Sequence, residues 1–429
     1  MPQDLYAPGE CLAILGLPKQ FKKNWRAVAL MLVRCILIGQ VVPSFLEFFA
    51  GGGMARAGLG NNWRCLFAND IDLKKASTYD DNWGEGIMKP GDVKTVDMSH
   101  VLEKPDLVWA SFPCQDLSLA GAGAGLKGDR SGTFWPFWKQ ISKLVDEGRA
   151  PTIVALENVA ATLTSHGGRD FEALCMALID KGYNVGARVV DAVLFVPHSR
   201  PRMFLIGVYA GNYIPANLVE PSGSLIGIDK SVSSALALIE ERSKTEPKLK
   251  RIVDSWVNWA LPATKNKPAT LEELIEQKSC SVQWHSDADT KTLLERMSDL
   301  NKRKVDKAIA SSNRMIGTAY RRTRVESGLK SVRTEVRFDG IAGCLRTPSG
   351  GSSRQIVIEV ENGIVRSRLM TIREGARLMG LPDSYKLPIS YNEGYHLVGD
   401  GVCVGVVSYL SRSLFEPIIR ENQYMADAA

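Results

Sequence analysis

Short apolar runs that end in polar or glycine residues recur along the first half of the chain, separated by helix-like stretches. Four of them read SFLEFF (44–49), RCLFAND (64–70), DLVWAS (106–111) and TIVALEN (152–158). This βα alternation predicts a mostly parallel sheet that helices cover on both faces. Ligands bind such sheets beyond the carboxyl ends of the strands, so the residues that follow each run are candidates for a site.

Two further apolar runs, NVGARVVDAVLF (184–195) and RMFLIGVY (202–209), are interpreted as strands that complete the sheet. After about residue 212 the pattern changes to helical patches, such as 231–244 and 289–309. A chain of 429 residues is long enough for a large core and two domains. The sequence therefore predicts an α/β protein with a second, smaller domain.

An N-terminal extension of unknown role covers residues 1–43, and its segment 27–42 reads AVALMLVRCILIGQVV. Arg34 interrupts this segment, which is too short for a membrane-spanning helix and too far from Met1 for an ordinary signal peptide. We interpret it as a buried or partner-covered helix, or as an extension of the domain that begins near Pro43. We expect no membrane association.

The cysteine and histidine content argues against a metal site. None of the eight cysteines lies in a CxxC pair, and the five histidines lack the spacing of a zinc site. Reduced thiols in a cytoplasmic protein are the simplest interpretation. We therefore expect no bound metal.

Positive charge is concentrated in one region of the chain. The whole chain carries a formal net charge of +6. Residues 302–337 contain eleven Lys and Arg against three acidic residues, a net +8, which leaves −2 for the remainder. Most charge runs are solvated helix faces, but this degree of concentration favours a surface that binds nucleic acid.

A glycine-rich turn follows the first predicted strand, in FFAGGG (48–53). Glycines there let backbone N–H groups approach a ligand, although structural turns of this kind are commoner than cofactor sites. The spacing is not GxGxxG, which argues against a dinucleotide. Asp70 ends the second strand, where an acid can accept hydrogen bonds from a ribose, and Asp92 adds a further acid.

Cys114 stands in SFPCQDLS (111–118), directly after a proline. Most buried cysteines are inert core residues. Here the proline fixes the backbone and polar residues follow, which indicates a thiol in a turn that faces a cleft. The glycine-rich stretch 119–134 suits a loop that closes over substrate. A free thiol is only roughly 3% thiolate at pH 7, so a nucleophile here needs a nearby cation or helix terminus.

Charged residues also mark the next two strand boundaries. Glu157 follows the apolar run TIVAL, so we expect it to lie where the core ends rather than on the open surface. Arg200 and Arg202 precede the last strand. Two residues apart on an extended chain, they point the same way, which suits forked hydrogen bonds.

The order of these motifs resembles the DNA (cytosine-5) methyltransferase family. FLEFFAGGGMARAGLG resembles its S-adenosylmethionine-binding opening, SFPCQDLS its nucleophile loop, ENV its glutamate strand and HSRPRMF its Q-x-R-x-R element. RLMTIREGARLMGLPDSY resembles the helix that organises the target recognition domain, and GDGVCVGVV the final G-N-x-V element. The match covers about 44–209 and 366–412 in the correct order, and several ordered motifs are far more specific than any one of them.

This resemblance implies a Rossmann-like S-adenosylmethionine-dependent methyltransferase sheet with a second, smaller target recognition domain. The catalytic and cofactor-binding domain would span 44–211, and the DNA-binding target recognition domain 212–365. A segment that returns to the catalytic domain would span 366–418, and 419–429 would be a flexible tail. The basic region falls in the second domain, in agreement with the charge distribution.

The implied activity is site-specific methylation of cytosine C5 in double-stranded DNA. Cys114 would add to C6 of a flipped-out cytosine. Glu157 would contact N3 and the exocyclic amine, Arg202 would bind O2, and Arg200 would brace the site. The loop 119–134 would close around the base.

The implied methyl donor is S-adenosylmethionine, whose ribose Asp70 would hold and whose adenine amine Asp92 would bind. The full set of implied cofactor-binding residues is Phe49, Gly51, Gly53, Asp70, Ile71, Asp92, Val93, Pro113 and Val402. The implied substrate-binding residues are Gln115, Ser118, Arg346, Ser349, Gly350 and Gly351. The last four belong to RTPSGGSSRQ, which we interpret as a phosphate-contacting loop.

Two positions depart from the family pattern. Asp400 replaces the usual asparagine of the final element, and a carboxylate cannot donate amide hydrogen bonds and adds charge near the cofactor. Either it weakens cofactor binding or it points elsewhere. His198 replaces the glutamine, and we expect it to keep a polar contact. Nearby, TIRE (371–374) is typical of a capping box, with Thr371 as the N-cap.

Two alternatives remain open, and a third fails. A cytosine-5 methyltransferase that acts on RNA would share the fold. A catalytically degenerate DNA-binding regulator is a second reading, although Cys114, Glu157, Arg200 and Arg202 are all present. A nicotinamide oxidoreductase has the wrong glycine spacing. We expect a monomeric, cytoplasmic, bacterial or phage-encoded enzyme whose partners are double-stranded DNA and a cognate restriction endonuclease.

Overall fold

A seven-stranded sheet forms the centre of the fold, with the strand order β3-β2-β1-β4-β5-β7-β6. The computed structural model describes residues 42–113, 133–220, 229–264, 268–277, 281–311, 313–326, 329–347 and 354–428. The strands are β1 (Ser44–Phe48), β2 (Arg64–Asp70), β3 (Met88–Pro90), β4 (Leu107–Ala110), β5 (Ile153–Val159), β6 (Tyr183–Asp191) and β7 (Pro201–Tyr209). The first five are parallel and β7 is antiparallel to both of its neighbours, so the predicted mostly parallel sheet is confirmed.

Helices pack on both faces of this sheet. The helices of the described residues are, in chain order, α1 (Met54–Leu59), α2 (Leu73–Trp83), α3 (Phe134–Asp146), α4 (Arg169–Asp180), α5 (Lys230–Ser243), α6 (Lys250–Asp254), α7 (Leu271–Leu274), α8 (Asp287–Glu295), α9 (Asp299–Ile309), α10 (Ile372–Leu378), α11 (Tyr391–Asp400), α12 (Val404–Leu410) and α13 (Glu416–Ala428). Of these, α8 and α9 pack on a second, smaller sheet instead. One apolar core contains residues of α1 and α12, and a second contains residues of α3 and α4.

The central strands contribute side chains to both cores in alternation. On β4, Leu107 and Trp109 belong to one core, and Val108 and Ala110 belong to the other. Successive side chains of a strand point to opposite faces, and here both faces are buried. That is why these strands are continuous apolar runs instead of alternating apolar and polar residues.

A second sheet, antiparallel throughout, lies in the region where helical patches were expected to replace strands. Its order is β11-β10-β8-β9, with β8 (Met315–Glu326), β9 (Leu329–Arg337), β10 (Ile356–Glu361) and β11 (Ile364–Leu369). The helical prediction for 289–309 is correct except that two helices, α8 and α9, share it. The prediction of helices alone was therefore incomplete. The expected boundary at 365 also falls inside β11.

One end of the β8–β9 hairpin extends beyond the rest of the second sheet. β10 pairs only with Met315–Ala319 of β8. β8 and β9 continue to pair with each other as far as the Glu326–Leu329 backbone pair. Among the described residues no third strand lies beside the distal part of the hairpin, which therefore projects as a two-stranded ribbon.

The C-terminal segment returns to the first core. The capping box predicted at its start is confirmed, because the hydroxyl of Thr371 accepts the Glu374 N–H at 3.0 Å and the Glu374 carboxylate accepts the Thr371 N–H at 2.8 Å. The flexible tail expected at 419–429 is wrong as far as Ala428, since α13 continues to that residue and buries Ile418 and Ile419.

The helical stretch Tyr391–Ala428 is apolar enough to meet a length-and-composition criterion for a membrane span. Its most apolar window has a mean hydropathy of 1.4 and is 56% buried inside the fold. Core helices of proteins without a membrane meet the same criterion. The burial of Leu410, Leu414 and Phe415 in the first core accounts for the apolar composition of this stretch.

Candidate active site

Glu157 and Arg202 lie side by side where β5 ends and β7 begins. Arg202 is paired with Val159 in the strand register, two residues beyond Glu157. The Arg202 Nε atom is 3.1 Å from Glu157 Oε1, and both side chains are at most 15% exposed. The structure thus brings together two of the four predicted catalytic residues, as a carboxylate and a guanidinium in direct contact.

Asn158 ties the end of β5 to the chain segment that leads to Cys114. Its side-chain amide donates to the Phe112 carbonyl at 3.2 Å, and its own oxygen accepts the Val159 N–H at 2.8 Å. The side chain is only 2% exposed. This residue stands in the ENV motif, but sequence reasoning gave a role only to its neighbour Glu157.

Several predicted residues lie outside the described part of the chain. They are Cys114, Gln115, Ser118, Ser349, Gly350, Gly351 and nearly all of the loop 119–134. Pro113 is the last described residue before Cys114 and is half-buried. Arg346, the remaining predicted substrate-binding residue, is exposed.

Arg200 braces the site through backbone contacts. Its guanidinium donates to the carbonyls of Leu345 at 2.9 Å, Gly399 at 2.8 Å and Gly401 at 2.7 Å. Its backbone N–H is held by the Asp191 carboxylate at 2.7 Å. The side chain is 2% exposed, and its Nε has no hydrogen-bond partner. Arg200 therefore joins three separate chain segments, which suits bracing better than contact with a substrate.

His198 makes the polar contact expected of it. Its Nδ1 lies 3.1 Å from the Leu378 carbonyl, and its Nε2 accepts the Leu345 N–H at 3.1 Å. Because a carbonyl can only accept, Nδ1 carries the proton and the ring is neutral. Burial, the largest effect, lowers the pKa of His198, which agrees with this neutral state.

Cys344 is a thiol that sequence reasoning did not select, and it lies 3.5 Å from the Arg200 guanidinium. Burial acts to raise the pKa of the Cys344 thiol, but the charge of Arg200, the neighbouring His198 and the charge of Arg202 hold it well below the usual range. The other three cysteines of the described residues, Cys65, Cys175 and Cys403, have raised pKa values because they are buried. Proximity to Arg200, His198 and Arg202, which the sequence does not reveal, distinguishes Cys344 from the other three.

The turn after β1 and the end of β2 form the predicted cofactor side. The Asp70 carboxylate accepts the Gly51 N–H and the Asp72 N–H, each at 2.8 Å. Burial raises the pKa of Asp70, although the nearby charge of Lys75 opposes this effect. Gly51 has φ +55° and no atom within 4 Å of where a Cβ would stand, so this turn borders open space. Phe49, with φ +57°, is one of three non-glycine residues with positive φ among the described residues.

A second contact set joins this turn to the C-terminal segment. The Gly52 carbonyl accepts the Tyr385 hydroxyl at 2.7 Å and the Trp83 Nε1–H at 3.0 Å. Gly401 packs so closely on Met54 that a Cβ would lie 2.2 Å from its sulfur. The turn that contains Asp400 therefore lies directly beside the start of α1.

The remaining predicted cofactor residues differ in accessibility. Asp92 follows β3, and its carboxylate accepts the Lys94 N–H at 2.9 Å. Ile71 is 69% exposed, whereas Val93 and Val402 are 3% and 4% exposed and belong to the two cores. Little of either valine side chain reaches the surface, and the role of Val93 and Val402 in cofactor binding stays a prediction.

Asp400, the departure from the family pattern, has two partners. Its Oδ2 lies 2.6 Å from Lys75 Nζ, and its Oδ1 accepts a hydrogen bond from the Thr347 hydroxyl. Burial acts to raise the pKa of Asp400, but Lys75 and Thr347 lower it overall. The carboxylate is thus ionised and neutralised by a lysine of α2. Sequence reasoning missed Lys75, since its partner is 325 residues away.

Comparisons with known proteins identify the family of this chain. A sequence model of the family described as C-5 cytosine-specific DNA methylase matches residues 43–416. The Type II methyltransferase M.HpaII of Haemophilus parainfluenzae is 23% identical over 393 residues, covering 87% of this chain and 90% of its own. The Type II methyltransferase M.NgoBI of Neisseria gonorrhoeae is 26% identical over 371 residues, covering 84% and 90%.

Among solved structures, the Entamoeba histolytica methyltransferase EhMeth superposes with a TM-score of 0.55. It is 13% identical and covers 88% of this chain and 99% of its own, so this similarity concerns the fold alone. The Rossmann-like methyltransferase sheet expected from the sequence is confirmed. Because the family match extends over most of the chain, the protein belongs to the C-5 cytosine-specific DNA methylase family and is a DNA (cytosine-5) methyltransferase.

Proposed function

We propose that the protein methylates cytosine C5 at a specific sequence of double-stranded DNA, through a covalent adduct of Cys114 and with S-adenosylmethionine as donor. The observation that carries the proposal is the contact between Glu157 and Arg202 at 3.1 Å, beside the segment that enters Cys114. The carboxylate can accept a hydrogen bond from the exocyclic amine of a cytosine, and the adjacent guanidinium can donate one to O2 of the same base. No part of the nicotinamide alternative uses such a pair.

The end of β2 and the turn after β1 fit S-adenosylmethionine. Each oxygen of the Asp70 carboxylate accepts one backbone N–H and retains a lone pair for a ribose hydroxyl. The open space beside Gly51 leaves room for the ligand. Asp92 would bind the adenine amine. When bound, the cofactor supplies an electrophilic methyl group.

Glu157 and Arg202 would hold the target base. The carboxylate accepts hydrogen bonds from the exocyclic amine and from a protonated N3, and the guanidinium donates to O2. Their mutual contact fixes the spacing between the two groups before the base arrives. The target atoms are inaccessible inside a duplex, so the cytosine must leave the base stack.

Cys114 would provide the nucleophile. Its thiolate adds to C6 and forms the C6–S bond, and the ring electrons displaced toward C5 make that carbon nucleophilic. After C5 has accepted the methyl group, a base removes the C5 proton. The electrons of the C5–H bond re-form the C5–C6 double bond, and the sulfur leaves as thiolate. Asn158 holds the Phe112 carbonyl, two residues before the nucleophile, and so limits where this segment can lie.

The β8–β9 hairpin is the proposed target recognition element within the domain 212–365. Arg321, Arg322 and Arg324 are exposed on its projecting part, together with Val325, which is 67% exposed. A two-stranded ribbon fits the major groove of DNA, and arginines bind phosphates and guanine edges. The exposed Arg346 on the neighbouring segment extends this basic surface.

A mechanism-based trap tests the proposal. The protein is incubated with S-adenosylmethionine and a duplex pool that contains 5-fluorocytosine, and the products are separated on a denaturing gel. Fluorine at C5 cannot leave as a proton does, so we expect a shifted covalent band that Cys114→Ser abolishes. Sequencing of the trapped DNA would give the target site.

Other outcomes would redirect the proposal. A band with fluorocytosine RNA and none with DNA would identify an RNA methyltransferase. No band on either nucleic acid, with retained DNA binding, would identify a degenerate regulator. A band that survives in Cys114→Ser would show that another residue is the nucleophile.

A further inference from the structure

Lys75 interacts electrostatically with two acidic residues, Asp400 and Asp70. It stands on α2, the helix that directly follows Asp70, and its side chain is 17% exposed. The Nζ atom forms the ion pair with Asp400, and its charge also acts on Asp70. The single positive charge of Lys75 thus attracts two carboxylates, that of Asp70 at the end of β2 and that of Asp400 in the C-terminal segment.

Asp400 extends this interaction toward the nucleic-acid side. One carboxylate oxygen binds Lys75, and the other accepts the hydrogen bond of Thr347. Thr347 follows Arg346, which lies on the exposed basic surface. Asp400 therefore connects α2, next to the cofactor turn, with the segment 344–347.

The turn that carries Asp400 has little freedom to move by itself. Arg200 donates to the carbonyls on both sides of Asp400, those of Gly399 and Gly401, and also to Leu345 of the segment 344–347. A change in the Lys75–Asp400 ion pair therefore acts on the Asp400 side chain and its hydrogen bond with Thr347, while the turn stays in place. An isolated, exposed salt bridge would not be linked to a second chain segment in this way and would contribute little to stability.

We propose that Lys75, Asp400 and Thr347 are positioning residues that couple the cofactor site to the nucleic-acid side of the active centre. This inference rests on the proposed function. Hydroxyl groups that bind Asp70 reduce the attraction of that carboxylate for the Lys75 ammonium, which leaves Lys75 more firmly bound to Asp400. Asp400 in turn holds Thr347, so the segment 344–347 is in place when nucleic acid binds.

The coupling is measured as a ratio of two dissociation constants. Fluorescence anisotropy gives the affinity of a labelled duplex, containing the site found in the trapping experiment, with and without S-adenosylhomocysteine. Allosteric couplings are typically about 5–150-fold. We expect at least a fivefold tighter complex in the presence of S-adenosylhomocysteine for the unmodified protein.

Three substitutions interrupt the connection at different points: Lys75→Met, Asp400→Asn and Thr347→Val. Each is expected to bring the ratio to within twofold of one, and affinity for the duplex alone should stay within threefold. Thr347→Val is the sharpest of them, because it removes the hydroxyl that binds Asp400 and keeps both charges of the Lys75–Asp400 pair, so S-adenosylhomocysteine binding alone should stay unchanged. Lys75→Arg keeps the charge and should retain at least half of the coupling.

Lys74 provides a matched control on the same helix. Its ammonium pairs with Glu393, and its side chain is 69% exposed. Lys74→Met removes the same charge from an exposed pair that does not include Asp400, and should leave the ratio unchanged. A general loss of structure would instead lower the thermal unfolding temperature and both affinities together.

The inference is overturned if the unmodified protein shows a ratio near one, if all three variants keep its ratio, or if Lys74→Met lowers it equally. Failure of the proposed function looks different. In that case the unmodified protein forms no covalent adduct with fluorocytosine DNA or does not bind S-adenosylhomocysteine at all.

Discussion

Arg368 and Glu374 form a doubly hydrogen-bonded ion pair that is almost completely buried, with side chains 1% and 0% exposed. The two guanidinium nitrogens donate to the two carboxylate oxygens at 2.6 and 2.8 Å. The same carboxylate accepts the backbone N–H groups of Thr371 and Glu276, each at 2.8 Å. Glu374 thus joins the capping box, β11 and the chain after α7.

Glu374→Ala should destabilise the protein by about 3–5 kcal/mol, because it leaves the Arg368 charge buried without a partner. Urea unfolding monitored by circular dichroism measures the change. Asp383→Ala is the control, since it breaks an exposed pair with Arg377 and should leave the unfolding midpoint in place. If the two substitutions lowered the unfolding free energy equally, burial of the ion pair would not explain the effect of Glu374→Ala.

Glu47 should make stability depend on pH. Burial raises the pKa of this β1 carboxyl to about 8, from 4.5. The folded state therefore binds the proton more tightly than the unfolded chain. Its stabilising contribution is complete below about pH 4.5 and is lost as the pH rises through about 8, a change on the order of a few kcal/mol.

Glu47→Gln tests this dependence because the amide does not titrate. The difference in unfolding free energy between the variant and the unmodified protein should grow in favour of the variant from pH 5 to pH 8.5. A difference that stays constant over this range would show that Glu47 is ionised in the folded protein.

Arg200 and Arg202 should respond differently to the same substitution. Arg200→Lys cannot reach three carbonyls at once, so we expect a loss of stability of about 2–4 kcal/mol. Arg202→Lys keeps a charge beside Glu157 but loses the planar fork, so we expect near-normal stability and an adduct rate lower by about 100-fold or more. Thermal unfolding and the rate of fluorocytosine trapping separate the two effects. Loss of activity without loss of stability in Arg200→Lys would place that residue on the substrate instead.

Cys344 should be the most reactive of the four cysteines in the described residues. Its depressed pKa implies a larger thiolate fraction near neutral pH than those of Cys65, Cys175 and Cys403. Iodoacetamide labelling at pH 7, followed by peptide mass spectrometry, measures each rate. Labelling of Cys344 no faster than that of Cys403 would show that burial outweighs the arginine charges.

Salt dependence tests the role of the hairpin. Arg322→Ala and Arg324→Ala should each reduce the slope of log affinity for duplex DNA against log salt concentration by about 1, if each arginine neutralises one phosphate. Lys244→Ala removes a similar exposed charge at the end of α5 and should have no effect. An unchanged slope in both arginine variants would exclude the hairpin from the DNA surface.

The sequence predicts the central sheet well because its strands are continuous apolar runs with polar residues at their ends. It predicts β8 and β9 poorly, since the stretch YRRTRVE (320–326) projects from the sheet and has no buried face to produce an alternating pattern. A basic, exposed hairpin therefore looks like an ordinary solvated segment.

The site was predictable where a motif fixes the chemistry at a strand end, as for Glu157, Arg202 and Asp70. A motif does not determine which way each side chain points, and it did not reveal that Val93 and Val402 lie in the cores. The pairing of Lys75 with Asp400 depends on contact between residues 325 positions apart. No local pattern in one sequence records such a contact.

The antiparallel direction of β7 determines which side chains lie beside the carboxyl end of β5. Had β7 run parallel to β5, its first residues would lie beside the amino end of β5, roughly 25–30 Å away along a strand of this length. Because β7 is antiparallel to β5, its first residues lie beside the last residues of β5. The segment that contains His198, Arg200 and Arg202 therefore reaches the end of the sheet where Glu157 lies. The start of β7 and the end of β5 thus lie together, and a site of opposite charges forms there without a long loop from either strand.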